Sequence, residues 1–355
     1  MIEAIEDTQP RTLALYDDII DVRSPGEFAE DRLPGAINLP VLSNAERAEV
    51  GTLYTQVSRF EARRIGAAFV AANIARHLQT TLAEKPAQYR PLVYCWRGGM
   101  RSNAMATILS QVGWRVGLLK GGYKTWRRDV VAGLRESDAP LSLLLIDGQT
   151  GSAKSNILNR LSELGAQVID LEGLAAHRGS VFGGFSTRPQ PSQKLFESGL
   201  WTALSHLDRA RPILVEAESN RIGSCEIPRD LWRAMLAAPR IVIRAEPAAR
   251  ARYLMTAYAD LMSEPESILR SLARIASLHP KELMEEWAAL AGARRYEELA
   301  AALMREHYDP LYDRTRRKRD DKPLAEIRLE GFDDAALNAA AEQIAALARR
   351  SYENA

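Results

Sequence analysis

The chain has 355 residues, of which 46% are hydrophobic and 26% are charged, and its formal net charge is +1. This length favours two or three domains, and the near-neutral charge excludes a protein that is basic over its whole surface, so any nucleic-acid contact must come from a local patch. The two cysteines lie far apart in sequence, which argues against a disulfide framework and fits a reducing compartment. We expect a cytoplasmic protein without membrane contacts, because residues 1–7 lack a signal-peptide pattern and the longest apolar stretch, residues 66–75, is too short to span a bilayer.

Residues 1–135 alternate short apolar runs with helical patterns, which is typical of an α/β domain. Within them, the run from Leu92 to Tyr94 predicts a buried strand, a tight loop follows it, and a helix is predicted from about Ser102. Cys95 therefore lies at the carboxyl end of a strand, in a loop that opens onto a helix N-terminus.

The Cys95 loop combines the groups that a nucleophilic cysteine needs. Loop N–H groups and the positive end of the helix dipole would favour the thiolate. Gly98 and Gly99 let the backbone curl around the sulfur without a Cβ clash, and Arg97 and Arg101 supply positive charge for an anionic sulfur, selenium or phosphorus group. We predict these five residues as the catalytic set. The alternative is a structural cysteine buried beside a surface loop, which would need neither the glycines nor the arginines.

This loop resembles the active-site loop of the rhodanese family, Cys-x-x-Gly-x-x-Arg, with Cys95, Gly98 and Arg101 in the matching positions. The segments that resemble the other strands and turns of that fold are residues 19–28, 33–40 and 118–126. Asp31-Arg32 departs from the Gly-His pair that rhodaneses often carry. The resemblance implies a rhodanese-like domain over residues 1–135.

Residues 41–83 form an insertion that a plain rhodanese would lack, with a helix predicted from about Arg63 to Leu82. The insertion is either an extra packing element or a surface that shapes access to Cys95. The sequence favours neither alternative.

A polar connection at residues 135–140 marks the predicted domain boundary. The apolar run Leu141–Asp147 follows and is typical of a central parallel strand. It leads directly into a glycine loop, Gly148 to Ser155, and a helix from Asn156. This order of strand, glycine loop, lysine, hydroxyl and helix is the P-loop layout, and we predict residues 140–245 as the core of a P-loop domain.

The P-loop predicts a site for two adjacent phosphates, cradled by backbone N–H groups. The predicted phosphate-binding residues are Gly148, Thr150, Gly151, Ser152, Lys154 and Ser155. Lys154 would hold the outer oxygens, and the Ser155 hydroxyl would be a ligand of Mg²⁺. Ala153 occupies the position of a consensus glycine, which matters only if the loop needs a positive φ there. The alternative is a chance glycine turn.

Two further stretches of this domain carry candidate groups. Residues 172–192 contain four glycines and predict a functional loop rather than a regular element. Glu216 and Glu218 end a predicted strand, where either could orient metal-bound water or simply pair with Arg221. We assign no role to Cys225, which has no glycine cradle.

Residues 246–355 predict a helical region, followed by a last strand at 326–331 and a helix capped by Asp333 or Asp334 that complete the P-loop sheet. Within it, residues 307–319 interleave two tyrosines with five basic residues, which suits stacking and phosphate contacts on RNA. The predicted RNA-binding residues are Arg314, Arg316, Arg317 and Arg319. The alternative is a solvated, charged helix end.

Strings from nearly the whole chain resemble one family, tRNA 2-selenouridine synthase, also called tRNA 2-thiouridine selenotransferase. They lie at residues 93–102, 148–155, 177–184, 189–193, 218–223 and 307–314. The resemblance implies an α/β protein with an N-terminal rhodanese-like domain, a P-loop parallel-sheet domain and a helical, tRNA-binding C-terminal region.

For function, the resemblance implies a transferase that acts on the wobble uridine of tRNA. The 2-thiouridine is geranylated on sulfur with geranyl diphosphate, and selenium from selenophosphate then replaces the S-geranyl group to give 2-selenouridine. The expected partners are tRNA carrying 2-thiouridine at the wobble position, geranyl diphosphate, and selenophosphate supplied by selenophosphate synthetase. Mg²⁺ would accompany the diphosphate, and we expect no tightly bound cofactor.

Two hypotheses from other classes stand beside this one. The chain could be a rhodanese-type sulfurtransferase fused to a nucleotide-dependent P-loop domain acting in tRNA thiolation. It could also be an RNA-binding protein without catalysis, although the intact Cys95 and Lys154 argue against that. A P-loop serves ATP as well as geranyl diphosphate, but Val181, Phe182 and Phe185 nearby suit a prenyl chain better than adenine. The residues leave open whether Cys95 carries selenium covalently.

Overall fold

The computed structural model describes residues 1–135, 141–317 and 322–353, with side chains omitted for 315–317 and 351–353. Contacts divide the chain into two compact units, Met1–Glu136 with Glu197–Ser205, and Ser137–Phe196 with His206–Ala355. The predicted boundary at 135–140 falls almost wholly on residues outside this description. Segment 197–205, which the sequence placed in the P-loop domain core, makes its contacts with the first unit.

The first unit is built on a five-stranded parallel sheet in the order β1-β5-β4-β2-β3. Its strands are β1 (Ile2–Ile5), β2 (Asp18–Asp21), β3 (Ala36–Asn38), β4 (Pro91–Tyr94) and β5 (Val116–Leu119). Its helices are Pro10–Leu13, Pro25–Glu30, Asn44–Gln56, Arg59–Gln79, Met100–Val112 and Tyr123–Arg135. All four residues of β4 are buried, because helices cover both faces of a parallel sheet.

The insertion predicted at residues 41–83 forms two helices rather than one. Ser43 and Glu46 make a capping box that starts the first helix, Asn44–Gln56. The second helix begins at Arg59, four residues before the predicted start, because the Ser58 hydroxyl accepts hydrogen bonds from two N–H groups of its first turn.

The second unit is built on another five-stranded parallel sheet, in the order β12-β11-β6-β8-β7. These strands are β6 (Leu143–Gly148), β7 (Gln167–Ile169), β8 (Ile213–Glu216), β11 (Arg240–Ala245) and β12 (Ala325–Leu329), and a separate antiparallel pair is formed by β9 (Arg221–Ile222) and β10 (Cys225–Glu226). β6 is central and wholly buried, as its apolar run predicts. The predicted last strand adds to the sheet edge as β12, and the final helix packs with it in one apolar core.

The helices after residue 153 differ from prediction mainly at their ends, and one of them, Gln193–Ser205, lies mostly in the first unit. They are Lys154–Glu163, Leu171–Ala175, Gln193–Ser205, Arg229–Ala237, Pro247–Ala257, Ala259–Met262, Pro265–Ile275, Lys281–Gly292, Tyr296–Leu303, Asp309–Arg317 and Asp334–Glu353, with a 3-10 turn at Ala276–Leu278 and a π-helical turn at Met304–Tyr308. The short helix Leu171–Ala175 was predicted as irregular loop; Asp170 caps it by accepting a hydrogen bond from the Gly173 N–H. In the described part of the chain, no helix is long and apolar enough to cross a membrane.

Candidate active sites

Cys95 directly follows β4, and its thiol faces the first turn of the helix Met100–Val112. The sulfur accepts a hydrogen bond from the Gly99 N–H at 3.3 Å and one from the Ser102 hydroxyl at 3.1 Å. The side chain is 3% exposed and lies at the floor of an open cleft of about 590 Å³. These two donors suit a sulfur that carries negative charge, as the sequence predicted for this loop. Ser102 is a donor that the sequence analysis did not include.

A second glycine pair, Gly121 and Gly122, packs directly against the backbone of the Cys95 loop. The pair follows β5, and a Cβ added to Gly122 would lie 2.1 Å from the Cys95 carbonyl oxygen. The same oxygen accepts a hydrogen bond from the Tyr123 N–H at 2.8 Å. Gly98 has a φ of +64° and faces the same turn. The sequence placed this glycine pair in a fold motif but not in the site, because the contact joins segments far apart in the chain.

The two arginines of the loop have different surroundings. Arg97 is exposed at the cleft. The Arg101 guanidinium donates to both oxygens of Glu27, at 2.8 and 3.3 Å. Burial raises the pKa of Glu27, but the hydrogen bonds and charge of Arg101, together with the Ser24 N–H and the Arg47 charge, outweigh burial and hold that pKa below its ordinary value. Arg97 is therefore the more available cation for an anion near Cys95.

In the second unit, the P-loop lies between β6 and the helix Lys154–Glu163, as predicted. The Lys154 ammonium donates to the Gly148 carbonyl oxygen at 3.0 Å, so the lysine reaches back across the loop. Gly151 has a φ of +80°, and its backbone passes close to Arg250. Arg250 in turn donates to the Thr150 carbonyl oxygen at 2.9 Å and pairs with Asp309 at 2.5 Å. A partly buried ion pair thus supports the backbone of the loop.

Ala153 adopts the left-handed conformation, with φ +59° and ψ +27°. The loop therefore does need a positive φ at the position where the consensus has glycine. Such a backbone costs a residue with a Cβ about 1–2 kcal/mol. Packing of Ala153 in the same apolar core as β6 holds the loop in this conformation despite the strain.

Ala153→Gly is expected to stabilise the protein modestly, by about 1 kcal/mol or less, because the strain relieved exceeds the extra freedom of glycine in the unfolded chain. Urea unfolding measures the change. Ala339→Gly, at an exposed position inside the last helix, is the control and should lower the stability by about 1 kcal/mol. An equal decrease in stability for the two variants would show that Ala153 is not strained.

Four carboxyl groups gather beside the P-loop, those of Asp170, Glu172, Glu216 and Glu218. The Ser155 hydroxyl donates to Glu172 at 2.7 Å, and the Glu172 N–H donates to Glu216 at 2.7 Å. Glu216 is fully buried, and burial together with the negative charge of Asp170 raises its pKa well above the ordinary value. Glu218 instead lines an open cleft beside the P-loop, together with Gly151, Lys154 and Ser155; we call this space the phosphate cleft. Glu216 therefore holds the short helix in place, and of the two glutamates at the end of β8, Glu218 is the one that lines the cleft.

The alternative pairing of these glutamates with Arg221 is not what the described contacts show. The Arg221 guanidinium donates to the Gly223 carbonyl oxygen at 3.1 Å. Glu218 instead shares a hydrogen bond with Glu172, and burial followed by the Glu172 charge raises the pKa of Glu218 to about 8. Glu172 is a site residue that the sequence analysis did not single out.

Glu218→Gln is expected to remove part of the pH dependence of stability. The pKa of Glu218 is raised from 4.5 to about 8 in the folded protein. The protonated carboxyl therefore contributes fully to the free energy of unfolding below pH 4.5, and this contribution is lost as the pH rises through 8. The variant should therefore gain stability relative to the wild type as the pH rises across this window, measured by urea unfolding. The exposed Glu282→Gln is the control, and an identical pH profile for all three proteins would contradict the assignment.

The oxygens of Ser155, Glu172 and Glu218 fit Mg²⁺ in the way expected beside a phosphate site. Across residues 1–135, 141–317 and 322–353, no group of three or more His, Cys, Asp or Glu side chains is arranged to hold a metal by itself. Mg²⁺ is commonly bound through one or two carboxylates together with substrate phosphates and water. The donor set therefore suits a metal that arrives with a diphosphate.

Arg178 is a further cation in the phosphate cleft, which has a volume of about 570 Å³. One of its terminal nitrogens donates to Asp260 at 2.6 Å, and its guanidinium stacks 4.0 Å from the Phe185 ring centre. The other terminal nitrogen is buried and has no hydrogen-bond partner among the described residues. An anion in the cleft would satisfy this donor. The signal in the sequence was Arg178-Gly-Ser within the glycine-rich loop.

An apolar cavity of about 80 Å³ adjoins the phosphate cleft, and Thr150, Ser180 and Tyr258 line both. Leu254 and Tyr308 also line both, and the other walls of the cavity are mainly Leu, Met, Ile and aromatic side chains, including Phe182, Met255, Met262, Leu299 and Met304. Flexible methionines allow such a cavity to adapt to an apolar occupant. Of the three apolar residues predicted near the P-loop, Phe182 lines the cavity, Phe185 lines the cleft, and Val181 packs against the adjacent core.

The predicted RNA-binding segment is only partly described. Arg314 is exposed on the helix Asp309–Arg317, whereas the side chains of Arg316 and Arg317, and the whole of Arg319, lie outside the described residues. Tyr308 lines both the phosphate cleft and the apolar cavity. The start of this segment therefore contributes to the phosphate site rather than to the outer surface alone.

Comparisons with known proteins match each of the two parts of the chain to a family model. Residues 141–286 match the family model described as the tRNA 2-selenouridine synthase AAA domain, and residues 3–129 match the Rhodanese-like domain. Three relatives carry the name tRNA 2-selenouridine synthase. The chain is 39% identical to the one from Nitrosomonas europaea, over 59% of this chain and 55% of that protein. It is 35% identical to the one from Shewanella denitrificans, over 68% of this chain and 65% of that protein.

The match to these two relatives thus spans less than two thirds of their own length. The third, from Chromohalobacter salexigens, is 32% identical over 85% of this chain and 89% of its own length. This match runs through both units and therefore includes the Cys95 loop and the P-loop together. The chain belongs to the tRNA 2-selenouridine synthase family.

Proposed function

We propose that the protein is an enzyme that converts the wobble 2-thiouridine of tRNA to 2-selenouridine, first geranylating the sulfur and then exchanging the S-geranyl group for selenium. The observation that carries the proposal is the apolar cavity that shares Thr150, Ser180 and Tyr258 with the phosphate cleft. A diphosphate held by the P-loop would direct an attached prenyl chain into that cavity. A nucleotide would instead place a polar base against leucine and methionine.

In the first step, the thiocarbonyl sulfur of 2-thiouridine attacks the geranyl carbon that bears the diphosphate, the carbon–oxygen bond breaks, and the N3 proton of the base passes to the departing diphosphate. The P-loop N–H groups, Lys154 and Arg178 stabilise the negative charge that accumulates on the departing diphosphate. The Ser155 hydroxyl would hold Mg²⁺ bound with the diphosphate, and the ion would supply further positive charge there. This use of a P-loop requires no hydrolysis of ATP.

In the second step, selenium of selenophosphate attacks C2 of the uridine, and geranyl thiol leaves with the proton of the selenophosphate. Water then cleaves the selenium–phosphorus bond, giving 2-selenouridine and phosphate. S-alkylation has made the sulfur a good leaving group. We assign this step to the cleft around Cys95, where Arg97 faces the anionic donor and the Gly99 N–H and Ser102 hydroxyl hold the sulfur.

The oxidation state of selenium limits what Cys95 does. Selenophosphate already contains selenium at the level of selenide, so a covalent sulfur–selenium bond would need a two-electron oxidant. We therefore propose that Cys95 positions the selenium donor next to C2 without forming that bond.

Mass analysis of nucleosides tests the proposal. Purified protein is incubated with tRNA carrying 2-thiouridine, Mg²⁺, geranyl diphosphate and selenophosphate. We expect 2-selenouridine in the complete reaction and S-geranyl-2-thiouridine when selenophosphate is omitted. A sulfurtransferase with a nucleotide-dependent domain would instead show thiosulfate–cyanide transfer and ATP turnover without tRNA, and neither modified nucleoside.

The basic C-terminal segment is proposed as the tRNA contact. A fourfold alanine variant of Arg314, Arg316, Arg317 and Arg319 should bind tRNA more weakly, and the slope of log affinity against log salt should flatten by about 0.7–0.9 for each phosphate that is no longer neutralised. Arg270→Ala, an exposed arginine on another helix, is the control. An unchanged slope in the fourfold variant would show that these arginines do not contact tRNA phosphates.

A further inference from the structure

The two helices of the insertion form an apolar groove in the first unit. Asn44–Gln56 and Arg59–Gln79 enclose it together with the helix Met100–Val112, and its volume is about 610 Å³. Its apolar lining includes Leu42, Val50, Tyr54, Val70, Ile74 and Ile108. Tyr54 is 45% exposed, although burying an aromatic ring of this kind would be favourable. The groove is therefore an apolar surface open to a ligand.

The groove is continuous with the cleft that contains Cys95. Arg47, Met100 and Arg101 line both of them. Met100, at the junction, is the first residue of the helix below the Cys95 loop and is 73% exposed. An apolar chain attached to a group that reacts beside Cys95 would therefore meet apolar surface at once.

We propose that this groove holds the geranyl chain of S-geranyl-2-thiouridine while selenium replaces sulfur, so that the protein has a second prenyl site besides the cavity at the P-loop. This inference rests on the proposed function, since only the selenation step brings an S-geranyl nucleoside to Cys95. The leaving group is joined through its sulfur to the carbon under attack, so its hydrocarbon must lie next to the Cys95 cleft. Burial of that hydrocarbon stabilises the bound substrate and aligns its carbon–sulfur bond.

The charges around the groove fit this occupant. Arg47, Arg63 and Arg101 line it alongside the apolar residues. Cationic groups beside an apolar slot suit a prenyl chain that is carried on a polyanionic tRNA. The role of the insertion is thus to shape the Cys95 site, which is one of the two alternatives that the sequence left open.

The inference is tested by comparing two substrates of the selenation step, tRNA bearing S-geranyl-2-thiouridine and tRNA bearing S-methyl-2-thiouridine. We expect the wild type to convert the S-geranyl substrate with a kcat/KM at least tenfold higher. Ala71→Glu places a carboxylate in the groove, and Ala67→Phe fills it; both alanines are exposed, so the fold should tolerate the changes. Each variant should lose most of this preference and still geranylate 2-thiouridine normally.

The matched controls are Ala72→Glu and Ala68→Phe, exposed neighbours on the same helix that do not line the groove. They should keep the preference, because they carry the same charge or size outside the groove. Equal conversion of both substrates by the wild type, or unaltered preference in Ala71→Glu and Ala67→Phe, would overturn the inference. A changed oligomeric state with the preference retained would assign the groove to a second copy of the chain. If neither substrate yields 2-selenouridine, the proposed function itself fails.

Discussion

Cys95→Ala is expected to lower 2-selenouridine formation by a factor on the order of 100 or more, while S-geranyl-2-thiouridine accumulates in its place. The physical reason is that the thiol is held by the Gly99 N–H and the Ser102 hydroxyl at the floor of the cleft assigned to selenation. The proposed geranylation step would use the P-loop of the other unit and should be unaffected. Nucleoside mass analysis after a fixed incubation measures both products at once.

Two further variants make this result specific. Cys225→Ala removes the other cysteine, which is buried and lies outside both sites, and should leave both products unchanged. Cys95→Ser keeps a small polar group in the same place and should recover part of the activity if Cys95 only positions the donor. Full selenation by Cys95→Ala would end the assignment of Cys95.

Lys154→Ala is expected to reduce geranylation strongly, because removing one charge-assisted hydrogen bond to a developing diphosphate costs on the order of 2–4 kcal/mol. The ammonium lies 3.0 Å from the Gly148 carbonyl oxygen, across the loop that would cradle the phosphates. The rate is measured with 2-thiouridine tRNA and geranyl diphosphate. Lys281→Ala, an exposed lysine of the helical region, is the control for a general loss of positive charge.

The same Lys154→Ala protein separates the two steps. When it is supplied with tRNA that is already S-geranylated, it should incorporate selenium at the wild-type rate. Competition binding identifies the ligand: if ATP displaces geranyl diphosphate readily and is hydrolysed at a tRNA-stimulated rate, the P-loop serves a nucleotide and the prenyl assignment is wrong.

The fold could be predicted from the sequence because its signals are local. Apolar runs such as Leu92–Tyr94 and Leu141–Asp147 mark buried parallel strands, and the glycine loops that follow them mark turns onto helices. The fold class, α/β with an N-terminal rhodanese-like domain, a P-loop parallel-sheet domain and a helical C-terminal region, is confirmed. The observed helix ends differ from the predicted ones where a single capping side chain fixes the first residue, as Ser58 does for the helix Arg59–Gln79.

The parts of the sites that escaped prediction depend on contacts between distant segments. Glu172 follows β7, and Ser155 follows β6 and the P-loop. The Glu172 carboxylate reaches the Ser155 hydroxyl only because these two strands end at the same edge of the parallel sheet. Gly122 touches the Cys95 carbonyl oxygen from the turn after β5. The apolar cavity likewise needs the helices of the C-terminal region to fold over the P-loop, which no local pattern reveals.

In the proposed reaction, S-geranylation must come before selenium replaces sulfur, and a comparison of two tRNA substrates tests this order. Wild-type protein is incubated with selenophosphate but without geranyl diphosphate, using either S-geranyl-2-thiouridine tRNA or 2-thiouridine tRNA, and the nucleosides are analysed by mass. We expect 2-selenouridine from the S-geranylated tRNA and none from the 2-thiouridine tRNA. Comparable amounts of 2-selenouridine from both would contradict it, because selenium would then replace sulfur without prior alkylation.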